Sequence, residues 1–266
     1  MKPSTNRTFV GHVAFIRRYP VKSMQGENLL RVSVGTAGLE SDRQFAVIDT
    51  ESGRVASAKN PRKWAGLLQL TAEFFEGKLI IRSDSLAFHG GRDDLDSALS
   101  QFLKTDVTLR GIPLDSAAID IHWPDVEGLA NAGSESVEKL PANSFFDLAP
   151  IHILTTATLT RLHELTPNTD FHAQRFRPNI VIETLPELTG FVETEWVGRS
   201  LIINDTQLEV TAPCSRCVMT TLAQPGLTAD SRVLRAAVMQ NAATVGVYAS
   251  TGRGGEIALG SQVWLE

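Results

Sequence analysis

Leu208-Glu209-Val210-Thr211-Ala212-Pro213-Cys214-Ser215-Arg216-Cys217-Val218-Met219-Thr220-Thr221 holds both cysteines of a 266-residue chain. Leu208 to Ala212 alternate apolar and polar side chains, which predicts a strand running into a turn at Pro213. Val218 to Thr221 favour a second strand by composition. These flanks separate the pair from a thioredoxin-like dithiol, whose first cysteine opens a helix where backbone N–H groups lower its pKa. A structural zinc site is disfavoured too. There is no second cysteine pair, and His12, His89, His122, His152, His163 and His172 lack the short spacing of zinc-finger histidines. Residue chemistry alone leaves two readings open: two inert, partly buried cysteines, or one reactive thiolate beside the cation of Arg216.

Outward from that segment the chain reads as β-rich. Val10, Val13 and Phe15 alternate within residues 8–18, and Leu30–Val34, Gln44–Asp49, Leu67–Phe74 and Lys78–Arg82 are short β-type runs separated by Gly, Ser or Asn. Three helices are expected. The first follows the acidic pair Asp93 and Asp94, with Leu95, Leu99, Phe102 and Leu103 at helical spacing, and ends near Lys104. The second is capped by Thr155 or Thr156, carries Leu159, Leu162 and Leu165, and stops at Pro167. The third is capped by Asp230 or Ser231 and buries Val233, Leu234, Ala237 and Val238. Residues 113–144, rich in Ala, Asp, Ser, Asn and Pro, read as a linker or long loop, which suggests domains at 8–112 and 113–266. The basic run Ser57 to Lys63 fits neither period and reads as a loop, functional or merely solvated.

Composition bounds the function classes. Hydrophobic residues make up 42% of the chain, enough for a sizeable core, and the formal charge is -5 with a pI near 5.7. With no block of like charge, the chain is not expected to grip nucleic acid or an anionic membrane broadly. The first residues lack the apolar stretch of a secretory signal and no segment is apolar enough to span a bilayer, so a cytoplasmic protein is expected.

Five stretches in order resemble the MOSC family, the domain shared by molybdenum cofactor sulfurases and the mitochondrial amidoxime-reducing component. Pro213 to Thr221 resembles its cysteine signature. Tyr19-Pro20-Val21-Lys22-Ser23 with Gly26 is similar to its YPVKS motif, and Gly38-Leu39 followed by Asp42-Arg43 to its GL…DR element. Phe176-Arg177-Pro178-Asn179-Ile180-Val181 resembles its RPN motif, and Gly246-Val247-Tyr248-Ala249 its closing GVYA strand. The resemblance implies an α+β, mostly β fold: an N-terminal β-rich domain packed against a MOSC β-barrel with a few flanking helices and a cofactor in the cleft between them.

What else the resemblance implies concerns chemistry. The cofactor would be a molybdopterin-type molybdenum cofactor, with Cys217 as the metal's protein ligand and catalytic residue, and Cys214 a small buried neighbour. Lys22, Ser23 and Arg43 match family cofactor contacts in the first domain; Arg177, Asn179, Ser215 and Arg216 match those in the second, forming a positive cleft suited to a phosphate and a dithiolene. Asp147 aligns with another contact, although a helix cap or turn former fits equally. Thr155 is placed similarly, against its reading as an N-cap. Lys59 and Arg62 stand as steering or pterin-touching cations, or as plain surface charges. The implied activity is reduction of a small N-hydroxylated substrate such as an amidoxime or hydroxylamine. Electrons would come from a separate ferredoxin- or flavoprotein-like donor, since the chain carries no further cysteines for an iron–sulfur cluster. Two departures stand out: Leu222-Ala223-Gln224-Pro225 where the family often has Val-Asp-Pro, leaving no acid near the cysteine loop, and Gly260-Ser261 for a Gly-Asp pair. Two alternatives accompany this reading, a persulfide sulfur carrier using Cys217 and a non-catalytic cofactor carrier.

Overall fold

The computed structural model describes residues 7–84, 87–88, 92–112 and 117–266. Seven strands close into a barrel: β1 (Thr8–Arg18), β2 (Ile151–Thr155), β3 (Ile180–Thr184), β4 (Ser200–Ile203), β5 (Thr206–Ser215), β6 (Thr244–Arg253) and β7 (Gln262–Leu265). Around the barrel the order is β1-β3-β2-β6-β5-β4-β7, and β7 returns to β1. Only β2 and β3 run parallel; between them passes the helix Thr156–Leu165, the crossover that a parallel pair requires.

Alternation explains the barrel interior. In β5, Leu208 and Val210 are buried while Gln207 and Glu209 are not, and Val10, Val13 and Ile16 of β1 meet Ile153, Ile182, Leu201, Val247 and Val263 in one cluster. Each such aliphatic side chain contributes about 1.5–3 kcal/mol by burial. The first strand of the chain thus closes a barrel otherwise made from residues 151–265, and Arg31–Gly35 pairs with Gly255–Ala258. Strand pairing therefore spans the 112/113 point at which the sequence suggests a boundary.

The remaining strands form small sheets beside the barrel. Phe45–Asp49 pairs with Val107–Gly111, and Thr71–Phe75 with Lys78–Arg82. Their apolar faces enclose Val47, Trp64, Leu67, Ile81, Leu99 and Leu109. The helices are α1 (Pro61–Trp64), α2 (Arg92–Leu103), α3 (Thr156–Leu165) and α4 (Arg232–Asn241). Thr155 caps α3 by accepting the Thr158 amide at 3.2 Å, and the Asp230 carboxylate accepts the Arg232 amide at 2.9 Å at the start of α4. The side chain of Asp93, one of the acidic pair expected at the start of α2, lies outside the described residues. No described helix is long and apolar enough to cross a membrane.

Four expectations are corrected. Leu67 to Gln69 belong to a 3-10 turn, Ala65–Gln69, before the strand Thr71–Phe75 begins, which lets the consecutive Leu67 and Leu68 both bury. The chain passes straight through Pro213, because β5 continues to Ser215 with register shifts around it. Val218–Thr221 is a 3-10 turn, not a strand: the Thr220 and Thr221 hydroxyls donate to the carbonyls of Cys217 and Val218 at 3.0 and 2.7 Å and tighten the backbone. The stretch taken for a linker contains the hairpin Ala118–His122 with Glu135–Lys139, held down by Ile119, Ile121, Leu140 and Phe145; residues 113–116 lie outside the described residues.

Gly11 makes the barrel closure possible. It sits at φ 149°, pairs with Thr184 on one side and Val263 on the other, and a Cβ there would overlap the Glu183 carbonyl. Gly11→Ala is expected to lower the unfolding free energy by about 2–3 kcal/mol, read as a shifted urea midpoint at unchanged slope. An unshifted midpoint would show that β1 and β3 can part without cost.

Candidate functional site

β1 leads directly into Tyr19, the first residue of the YPVKS-like motif, which is fully buried and carries three guanidinium groups over its ring: Arg177 at 4.3 Å, Arg43 at 4.5 Å and Arg17 at 5.7 Å from the centroid. An aromatic face attracts cations through its quadrupole, more strongly where water is excluded. The ring is anchored by its hydroxyl, which donates to the Pro178 carbonyl at 3.1 Å. Backbone conformation completes the arrangement. Ser23, Arg43 and Arg177 adopt φ of 65°, 47° and 56°, left-handed values that non-glycine residues rarely hold unless their surroundings enforce them.

Asn179 organises the arginines. Its amide oxygen accepts from Arg43 Nη1 and from the His152 amide, each at 3.1 Å, and its Nδ2 donates to the Arg17 carbonyl at 3.2 Å and to Asp42 Oδ2 at 3.1 Å. Asp42 also pairs with Arg43 and accepts the Tyr19 amide at 2.7 Å. These four hydrogen bonds use the side chain's donors and acceptors and fix the arginines from the cavity wall.

These residues border a cavity of about 300 Å³ between the barrel and the N-terminal sheets. Lys22, Ser23, Arg43, Asp147, Arg177, Asn179, Ser215, Arg216 and Cys217 all line it, together with Lys59, His152, Cys214 and Tyr248. Thr155 does not: it is completely buried as the α3 cap and donates to Glu193 at 2.6 Å. Arg62 is on the surface, paired with Glu135 at 2.7 Å, whereas its neighbour Lys59 points inward with 14% of its side chain exposed.

Charge in the cavity is arranged around Asp147. Lys22 Nζ meets its carboxylate at 2.5 Å and Lys59 Nζ at 3.2 Å. Burial alone would raise the Asp147 pKa, but the two ammonium groups hold it far below the usual carboxylate range. Burial lowers the Lys22 pKa against the pull of Asp147; at Lys59 burial is outweighed by Asp147 and Cys217, and its pKa rises. Burial likewise brings Arg177 down to about 10 and His152, with Arg216 nearby, down to about 3. His152 is therefore neutral, donating from Nε2 to the Val245 carbonyl at 3.1 Å, and Gly246 must be glycine because a Cβ would overlap that ring.

Two cysteines border the cavity in different ways. Cys214 is 1% exposed, and its sulfur accepts from Arg216 Nη1 at 2.8 Å, so it braces an arginine as well as filling space. Cys217 is half-buried at the start of the 3-10 turn, beside Ala58, Leu68 and Met219. Among the described residues no group of three or more His, Cys, Asp and Glu stands ready to hold a metal. A metal here would take one sulfur from the chain and its remaining ligands from a bound organic anion. The donors fit such a group: Lys22, Lys59, Arg43, Arg177 and Arg216 outnumber Asp147 and Glu138 on the wall, and buried Arg177 Nη1 and Arg216 Nε have no partner among the described residues.

Tyr19, Asp42, His152 and Tyr248 were not singled out as site residues by the sequence reading. Tyr19, Asp42 and Tyr248 stood inside quoted motifs, whereas His152 carried no local signal.

Residues 10–119 match a family model described as the MOSC N-terminal beta barrel domain, and residues 141–264 one described as the MOSC domain. A molybdenum cofactor sulfurase from Anopheles gambiae is 25% identical over 236 residues, which covers 76% of this chain and 29% of that protein. The mitochondrial amidoxime reducing component 2 of Bos taurus is 25% identical over 80% of this chain and 67% of its own length. The human mitochondrial amidoxime-reducing component 1 is 27% identical, over 80% of this chain and 66% of its own length. The chain thus spans less than a third of the sulfurase and about two thirds of the other two.

Under native conditions iodoacetamide should alkylate Cys217 about tenfold faster than Cys214, with the two rates converging in denaturant. Peptide mass spectrometry reads both; preferential labelling of Cys214 would show that the cavity thiol has been misidentified.

Proposed function

The chain belongs to the MOSC family, with both of its domains present, and from that premise we propose that it is an enzyme that holds a molybdopterin-type molybdenum cofactor and reduces N-hydroxylated compounds. One observation carries the reading: a half-buried thiol, Cys217, shares a cavity with five cationic side chains, two of which keep buried N–H groups without partners among the described residues. An anion bearing several acceptor oxygens and a sulfur-bound metal meets both demands.

Cys217 supplies the protein's sulfur to the metal in this reading. Arg177 and Arg216 meet the anion with their free N–H groups, while Lys22, Ser23, Arg43 and Ser215 face it from the remaining walls. Asn179 and Tyr19 act through Arg43 and Arg177 as positioning residues. Asp147 keeps Lys22 and Lys59 in fixed places, so the lysines do not reorganise when an anion enters. When bound, such a cofactor supplies a metal able to take oxygen from an N–OH group, with two electrons and two protons restoring it and releasing water. The electrons come from a separate ferredoxin- or flavoprotein-like donor. Where the resemblance implies an acid, this chain has Ala223, whose carbonyl accepts from Gln69 at 2.9 Å and ties the cysteine loop to the N-terminal half.

Expression in a host that makes molybdopterin should yield about one molybdenum per chain and turnover of an amidoxime with an artificial electron donor. Cyanide-labile sulfur without metal would replace this reading with a persulfide carrier, and bound molybdenum without turnover would replace it with a cofactor carrier. Cys217→Ala is expected to abolish turnover and lower the molybdenum content, while Cys214→Ala mainly lowers stability by about 1–2 kcal/mol. Arg177→Met should reduce molybdenum content severalfold at an unchanged melting temperature; full occupancy in that variant would remove Arg177 from the cradle.

A further inference from the structure

A second concavity of about 730 Å³ adjoins the first, between residues 33–44 and residues 141–150. Arg43, Phe146, Leu148 and Ala149 belong to both, so the segment Phe146–Ala149 is the shared wall. The two spaces differ in character. Five cations line the first, whereas Val34, Leu39, Pro141, Phe146, Leu148 and Pro150 supply much of the lining of the second. Its charged members are largely engaged: Asp42 and Arg43 bind one another, Asn179 and Tyr19. Glu40 is left as an exposed carboxylate.

Leu148 is the telling residue. It is 63% exposed although large and apolar, and it stands where the cationic cavity passes into the apolar groove. Exposed apolar surface that continues from a polar site marks a place where a ligand completes the burial. Both spaces lie within the range of roughly 300–1,000 Å³ typical of small-molecule sites.

We propose that this groove holds the uncharged aryl or alkyl body of the substrate, with the N–OH head reaching past Leu148 into the cavity of Cys217. The proposal rests on the reading of that cavity as the reacting site, and it adds a substrate subclass: N-hydroxylated compounds with an extended apolar, non-anionic tail. The exposed Glu40 carboxylate disfavours a tail that ends in a negative charge.

A series of 4-alkylbenzamidoximes from methyl to hexyl tests it, by calorimetry on the metal-free full chain and by steady-state kinetics on the loaded protein. Kd and KM should fall about fourfold for each added CH2, with kcat level, and a terminal carboxylate on the tail should cancel the gain. Ala142→Trp and, from the other wall, Ala37→Trp fill the groove from exposed positions and should erase the chain-length dependence. Leu148→Asp should weaken it. A flat series in the unaltered protein, or an undiminished slope in both Trp variants, overturns the proposal. Chain-length-dependent binding without any turnover leaves the groove standing and removes the reductase reading; turnover without that dependence does the reverse.

Discussion

The double pairing of β1 is the constraint from which the rest of the structure follows. This one strand bonds to β7 on one edge and β3 on the other, so the barrel closes only when the first strand of the chain meets strands about 170 and 250 residues later. It then runs without a break into Tyr19, Lys22 and Ser23. Closing the barrel therefore delivers one half of the cavity wall to the other, from Arg177 and Asn179 just before β3 to Cys214 and Ser215 at the end of β5. Gly11 is the point at which that closure would fail, since the backbone of β3 at Glu183 leaves no room for a side chain.

Electrostatics explains why so many cations tolerate one another there. Like charges packed together repel strongly when water is excluded. The chain answers with the Tyr19 ring, which faces three guanidinium groups at once, and with Asp42 and Asp147, each placed against specific partners. Among the described residues, Arg177 Nη1 and Arg216 Nε nevertheless remain unsatisfied in the buried wall, and that residual imbalance supports the proposed anion rather than a purely structural ion-pair cluster.

The cysteine loop shows where local reading stops. Its composition favours a strand, yet the Thr220 and Thr221 hydroxyls bond back to the backbone and coil it into a 3-10 turn, presenting Cys217 to the cavity. In the same way Ile119 and Ile121 alternate as a strand should, but the polar residues between the two arms hid a hairpin whose partners Ala46 and Val55 lie far back in the chain. Ionic contacts were harder still. Asp147 became a partner of Lys22 and Lys59 only because strands distant in sequence brought three loops together, whereas Thr155, equally plausible by alignment, was claimed by helix α3 and Glu193.

By itself the amino-acid sequence determined that the chain is mostly β and that helices lie near residues 95–103, 156–165 and 232–241, because alternation and capping are local properties of the polymer; that Lys22, Arg43, Arg177, Arg216 and Cys217 share one cavity was implied only by the resemblance of its ordered motifs to a family. Only the tertiary structure decided that β1 completes the distant barrel, that Asn179 braces arginines while Arg177 keeps a free N–H, and that His152 stays neutral against Val245. The reason is physical: burial, pairing and pKa depend on which atoms approach through space, and those approaches are set by strand closure across most of the chain rather than by neighbours along it.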